Sequence, residues 1–349
     1  MNRRTLGTRR TSILAAGALV AASALSACGE GDTGPGNAED KVAGAVGECQ
    51  AAEPSGGFEY TDARGKKIAL DEVPTTVVAQ TTTAAALWDA GYKVDAVYGE
   101  TFKTSAPGDY QLGNVDTSEV ELLGNTFGEF DVDQYAKLQP DLLVDYSFDG
   151  STLWYVPSKQ SAQIESLAPT LGFNGNPKKV EEAIELWVDL AAKLGVDTDC
   201  SKALTEDKDA YDTALADVTT NEKNLKVLLA SATDTNFYVA NPQSFPEAGT
   251  LKDAGVDIMA PKSGKPEIFH ELSWERAADY ADADVILFDE RTPPEVLAKM
   301  KTIDTWANLP AVKAGQVYPW YAAAPYSYKV YTGIFDELAD NLAKSEPLP

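Results

Sequence analysis

Two similar α/β lobes with parallel sheets, bridged by a long α-helix, are what this 349-residue sequence predicts. Short apolar runs alternate with helix-like segments, which implies parallel strands covered by helices on both faces. The same grammar occurs twice. The chain is also long enough that two lobes are favoured over one, and 44% apolar residues supply the core.

In the first half, Lys66 to Leu70 and Thr76 to Gln80 read as strands. Thr83 to Ala90 reads as a helix closed by Gly91, and Val94 to Tyr98 as a strand. Asp131 to Leu138 is a helix and Asp141 to Tyr146 a buried strand. The second half opens with a strand at Leu225 to Ala230. Asp-Ala-Gly at 89–91 recurs at 253–255, each time followed by Val-Asp, as a left-handed glycine cap ahead of a strand requires. Asp133 stands eight residues before the strand-leading Asp141, and Glu275 nine before Asp284, a faint internal duplication. Between the halves, Pro177 to Leu194 and Ser201 to Val218 carry helical apolar spacing and no Gly/Pro/Ser hinge. The segment 201–220 is expected to bridge the lobes, because it runs straight into the next strand.

The boundaries that follow are 1–27, an export signal; 28–57, a flexible tether; 58–198, the first lobe; 199–221, the bridging helix; and 222–345, the second lobe. Residues 1–27 hold Arg3, Arg4, Arg9 and Arg10, no acid, and an apolar run too short to span a bilayer. Leu25-Ser26-Ala27-Cys28 resembles the bacterial lipobox, which implies that Cys28 is lipidated and the protein held at the outer face of the cell membrane. The Gly- and Glu-rich stretch after it cannot bury a core. Cys49 and Cys200 remain, as an extracytoplasmic disulfide or as two unpaired small residues.

There are 54 acidic and 29 basic residues, and the net charge of −25 becomes −29 once the four signal arginines are gone. That excludes a nucleic-acid partner, which would need clustered Lys and Arg. His270 is the only histidine, so no His-rich metal site exists, and His270 precedes what reads as a helix entry. No nucleophile elbow or phosphate-cradling loop occurs.

Four stretches in order resemble one family. They are Tyr60-Thr61-Asp62-Ala63-Arg64-Gly65 with Ile68; Asp131-Val132-Asp133 with Leu138-Gln139-Pro140-Asp141-Leu142-Leu143; Ser273-Trp274-Glu275 with Ala283-Asp284-Val285-Ile286; and Leu309 to Tyr318. Together with the lipobox they resemble the helix-bridged (class III) substrate-binding lipoproteins of bacterial ABC importers, over roughly 58–343. The resemblance implies a non-enzymatic receptor that takes a ferric siderophore to an ABC permease and its ATPase. It implies no cofactor, since the siderophore itself saturates the iron. It also implies that Asp133 and Glu275 dock on permease arginines. Haem or a corrinoid in the same importer class, a carboxylate-dependent hydrolase, and a lipoprotein that only contacts proteins are the rival readings.

An open parallel sheet offers its strand C-termini to ligand, so a cleft between the lobes would be lined by the loops after those ends. Aromatic residues there are Phe102, Tyr146, Trp154 and Tyr155 in the first lobe, and Tyr238, Trp320, Tyr326 and Tyr328 in the second. Arg291, directly after the strand Val285 to Asp289, is the one arginine expected at the cleft edge, with a guanidinium suited to hydroxamate or carboxylate oxygens. A single arginine in so acidic a chain favours a neutral or cationic ferric hydroxamate over a triply anionic catecholate.

Overall fold

The computed structural model describes residues 56–101, 109–264 and 266–349. Phe58–Thr61 (β1) and Lys67–Leu70 (β2) form an antiparallel hairpin. Val77–Gln80 (β3), Ala96–Tyr98 (β4), Glu121–Leu122 (β5), Leu142–Ser147 (β6) and Thr170–Asn174 (β7) then build a sheet in the order β5-β4-β3-β6-β7. Every pairing in it is parallel. β3 and β6 are buried along their whole length, as central strands clad on both faces must be. Thr81–Asp89 (α1), Val132–Leu138 (α2) and Ser161–Leu167 (α3) belong to this lobe.

Val180–Lys193 (α4) and Lys202–Asn221 (α5) lead to the second lobe. Its sheet holds Lys226–Ala232 (β8), Asn236–Ala240 (β9), Asp257–Ile258 (β10), Phe269–Ser273 (β11), Val285–Asp289 (β12) and Val317–Trp320 (β13), in the order β11-β9-β8-β12-β13 with β10 beside β8. Its central pairings, β8 with β12 and β12 with β13, are parallel, while β9 and β11 add an antiparallel edge. Five helices complete the lobe: Pro246–Asp253 (α6), Pro294–Met300 (α7), Asp304–Ala307 (α8), Pro310–Ala314 (α9) and Tyr328–Lys344 (α10).

The internal echoes have a structural basis. Gly91 and Gly255, each closing an Asp-Ala-Gly, adopt φ of 96° and 94° just past α1 and α6. Asp141 and Asp284 lead β6 and β12, and each carboxylate Oδ2 accepts a backbone N–H at the start of the neighbouring parallel strand, Thr76 at 2.9 Å and Lys226 at 2.8 Å. The two acids clip equivalent strand pairs into register.

The helix that reaches both lobes is α4. Its first residues, Val180 and Ile184, lie in the second lobe's core, and Trp187, Leu190 and Ala191 lie in the first lobe's. The Val180 N–H donates to Thr250 Oγ1 of α6 at 3.0 Å. The helix expected at 201–220 does form, as α5, but its buried residues Tyr211, Ala214 and Val218 all enter the second core. There Tyr211 packs on Tyr328 and Phe335 of α10. Length and position in the chain suggested the bridge; which core the apolar stripe enters decides it. His270 lies on β11, paired with Val239, rather than at a helix entry. Cys28, Cys49 and Phe102 lie outside the described residues, so the lipidation site and the Cys49–Cys200 pairing fall there too; Cys200 is exposed. Among the described residues no helix is long and apolar enough to cross a membrane.

Candidate functional site

The C-terminal ends of β3, β4 and β6 form one wall of a cleft, and the end of β12 faces them. On β6 the carboxyl of Asp145 is fully buried. Its Oδ1 accepts the Tyr146 N–H at 2.7 Å, and its Oδ2 accepts the N–H groups of Tyr155 and Val156 at 2.9 and 3.1 Å. Asp145 therefore pins the loop carrying Trp154 and Tyr155 to the strand end carrying Tyr146. Burial pushes this carboxyl up to about 7, against the pull of the same three N–H groups and the nearby Tyr98 hydroxyl. Farther along the loop, Asp149 accepts the Ser151 and Thr152 N–H groups, both at 2.8 Å, and these hold its carboxyl well below the usual range.

The pinned aromatics form a continuous run. Tyr146 stands edge-on to Trp187 at 5.4 Å and stacks on Phe148 at 5.7 Å. Phe148 meets Trp154 edge-on at 5.4 Å, and Tyr155 meets Phe127 at 5.8 Å. Trp154 is 48% exposed and Phe127 59%. Beside them opens a hollow of about 620 Å³, whose wall includes Phe127, Trp154, Tyr155 and Lys159. Exposed rings held by their neighbours offer contact area at small entropic cost.

From the opposite wall comes Arg291. Its Nε and Nη2 donate to the two carboxylate oxygens of Asp289, at 2.9 and 2.8 Å. Asp289 is buried, while the Arg291 side chain remains 38% exposed. The fork fixes the guanidinium plane and leaves Nη1 without a partner among the described residues. Arg291 is close enough for its charge to act on Glu100, Tyr110 and Tyr155 of the first lobe. Tyr326 likewise couples to Tyr146 and Tyr155 across the cleft, and it stacks on Tyr331 at 5.7 Å with planes 5° apart. The walls touch behind the cleft: the Tyr110 hydroxyl donates to the Ala322 carbonyl, and Ser327 Oγ donates to Asp89 Oδ2 at 2.6 Å.

Several buried polar atoms at these strand ends have no hydrogen-bond partner among the described residues: Gln80 Nε2, Glu100 Oε2 and Tyr146 OH in the first lobe, and Thr292 Oγ1 in the second. Tyr146 OH lies near the hydroxyls of Thr82 and Thr83 but makes no hydrogen bond of normal geometry with them. Each such group costs about 1–3 kcal/mol when left unsatisfied. Tyr135, Tyr211 and Trp274 carry orphan atoms of the same kind inside the cores, but the four at the strand ends are placed where a ligand's complementary polar atoms could satisfy them.

Of the sequence-nominated residues, Tyr146, Trp154, Tyr155, Arg291 and Tyr326 come together here. Three others do not. Trp320 is buried in the second core against Phe245, with its Nε1 donating to the buried Glu247 at 2.8 Å. Tyr328 opens α10 and packs on Tyr211 of α5. Tyr238 lies on β9 against Phe269. A loop position signalled exposure for these rings, but helix and sheet packing claim them. Asp133, in the first turn of α2, and Glu275, in the 3-10 turn after β11, are both exposed. The residues missed were Asp145, Gln80, Glu100 and Thr292; being last in, or just past, a strand was the available signal for the latter three. Among the described residues no group of three or more His, Cys, Asp or Glu is arranged to hold a metal.

Comparison with known proteins agrees with this architecture. The model of the family described as "Periplasmic binding protein" matches residues 77–324. DesE, a ferric-siderophore receptor protein from Streptomyces coelicolor, is 34% identical; the match covers 84% of this chain and all of that one, with a TM-score of 0.75. FhuD2 from Staphylococcus aureus, solved with bound ferrioxamine B, is 22% identical over 77% of this chain and 98% of its own, with a TM-score of 0.54. The Fe(3+)-citrate-binding protein YfmC of Bacillus subtilis is 21% identical over 285 residues, 78% of this chain and 84% of that protein. Two facing α/β lobes, a helix shared by both cores and a 248-residue family match lead to one assignment: the chain belongs to the periplasmic binding protein family.

Proposed function

We propose that this protein is a lipid-anchored extracytoplasmic receptor that captures a ferric siderophore, of hydroxamate type, between its lobes and delivers it to an ABC permease. The observation that carries the reading is the set of buried polar atoms without a partner among the described residues, Gln80 Nε2, Tyr146 OH and Thr292 Oγ1, at strand ends where Tyr155 lies within reach of Arg291 and Tyr326. Coordinated hydroxamate oxygens are acceptors, and these groups and the Nη1 edge of Arg291 are donors for them. The ligand's own oxygens saturate the iron, so the protein needs no metal ligand.

Cleft charge supports the hydroxamate class. Arg291 is neutralised by Asp289, and Glu100 adds a further acid. A ferric tris-catecholate would bring three negative charges to facing strand ends where, among the described residues, the one arginine is already paired with Asp289. His270 lies on the edge strand β11, with β9 and β8 between it and β12, the strand that leads to Arg291, which counts against haem ligation. The exposed Asp133 and Glu275 would supply the permease-docking acids, with Cys28 as the lipid attachment.

Calorimetric titration of the soluble chain, begun after Cys28, tests the reading with ferric trihydroxamates, a ferric catecholate, ferric citrate, haem and a corrinoid. Tight 1:1 binding of a trihydroxamate is expected. Preference for the catecholate would keep the receptor role and overturn the charge argument.

A further inference from the structure

Glu100 is a partly buried acid at the cleft, and its Oε2 has no hydrogen-bond partner among the described residues. It lies two residues beyond β4, whose last residue, Tyr98, pairs with Gln80 of β3. The chain there is tight against its neighbour: a Cβ on Gly99 would come within 2.9 Å of Thr81 Oγ1 and 3.5 Å of Gln80 Nε2. Oε2 of Glu100 is closed to solvent and has no hydrogen-bond partner among the described residues. The cation that faces it, Arg291, is committed to Asp289 through two bonds. Burial raises the carboxyl's pKa, and the residue's own backbone N–H and, less strongly, Arg291 only partly offset that.

The enclosed Oε2 of this carboxylate needs a donor. On the reading above, the ferric hydroxamate core cannot supply one, because its coordinated oxygens only accept. The donor must come from an arm of the ligand that projects away from the iron. An ammonium group satisfies both the hydrogen bond and the charge, and the strongly acidic chain would concentrate such a cation. We infer that Glu100 is a specificity-determining residue that selects ferric hydroxamates bearing a cationic amine arm, its carboxylate receiving the ammonium while Arg291 and Tyr146 address the ferric core.

The inference rests on the siderophore reading, and its test separates the two. The probes are ferrioxamine B, a ferric trihydroxamate ending in a primary ammonium, and its N-acetylated form, which keeps the ferric core and removes the charge. Wild-type protein should bind the ammonium form at least about tenfold more tightly. In Glu100→Gln that ratio should collapse to within about twofold while the acetylated ligand binds as before, which also shows that the variant is folded. An unchanged ratio in Glu100→Gln, or no preference in the wild type, overturns the assignment and leaves the siderophore reading intact. Failure of both probes to bind either protein overturns the siderophore reading and the assignment with it.

Discussion

Replacing Asp145 by asparagine should change the pH dependence of stability in a calculable direction. The folded carboxyl is pushed up to about 7 from 3.8, chiefly by burial. Between those values the folded state binds a proton that the unfolded state has released, so the contribution of Asp145 to stability is greatest below about pH 4 and is lost as pH rises to about 7. Three units correspond to about 4 kcal/mol. Asparagine does not ionise, so it removes this slope. At low pH it is the worse residue: the acid presents two oxygens to the N–H groups of Tyr146, Tyr155 and Val156, and the amide presents one, a loss of about 1–3 kcal/mol. Above pH 7, where the wild type must keep a buried charge, the gap should close or reverse. Urea unfolding of both proteins at pH 4.5, 5.5, 6.5 and 7.5 measures the difference directly. A difference that stays constant within about 1 kcal/mol, or moves the other way, refutes the assignment of a raised buried carboxyl. Asp145→Ala removes all three bonds at every pH, and by freeing Tyr155 it should weaken ligand binding at least tenfold.

Arg291→Ala should lower siderophore affinity at least tenfold but stability by only about 1–2 kcal/mol, since more than a third of the side chain is open to solvent; titration beside thermal unfolding separates the two effects. Trp187→Leu should cost about 3 kcal/mol and also lower affinity, because the buried indole supports both Tyr146 and Phe173; a stability loss with unchanged affinity would show that Tyr146 does not depend on it. Gly249→Ala should destabilise the lobe junction by about 2 kcal/mol or more, because the new methyl would lie 2.0 Å from the Lys178 carbonyl where α6 meets the approach to α4, and a melting temperature unchanged from wild type would contradict that packing.

The parts of the fold that were legible in the sequence are those where a single local rule decides the outcome. β3, β6 and β12 are buried on both faces and therefore open with consecutive apolar residues, Val77 to Ala79, Leu142 to Val144 and Val285 to Phe288, and Gly91 and Gly255 close helices where only a left-handed cap fits. The antiparallel β9–β11 edge was not legible, because a five-residue run such as Asn236–Ala240 carries no sign of strand direction. The bridge went to α5 instead of α4 for a related reason: periodicity reveals an apolar stripe but not which core receives it. At the site, Tyr146, Tyr155 and Arg291 followed from being at or just after strand C-termini. Trp320 and Tyr328 shared that signal and yet turn inward, since a loop position does not fix where a ring points. Glu100, Gln80 and Asp145 are ordinary in sequence; what distinguishes them is burial and the presence or absence of a partner.

The central claim is that ligand sits between the two lobes, in contact with both. Fluorescence quenching by a ferric trihydroxamate, measured on the wild type, Tyr155→Ala and Arg291→Ala, tests it most directly because each variant alters one wall. The account predicts saturable 1:1 quenching in the wild type and at least a tenfold loss of affinity from either change in a protein that remains folded. Full affinity after either substitution, or no saturable quenching of the wild type, would contradict it.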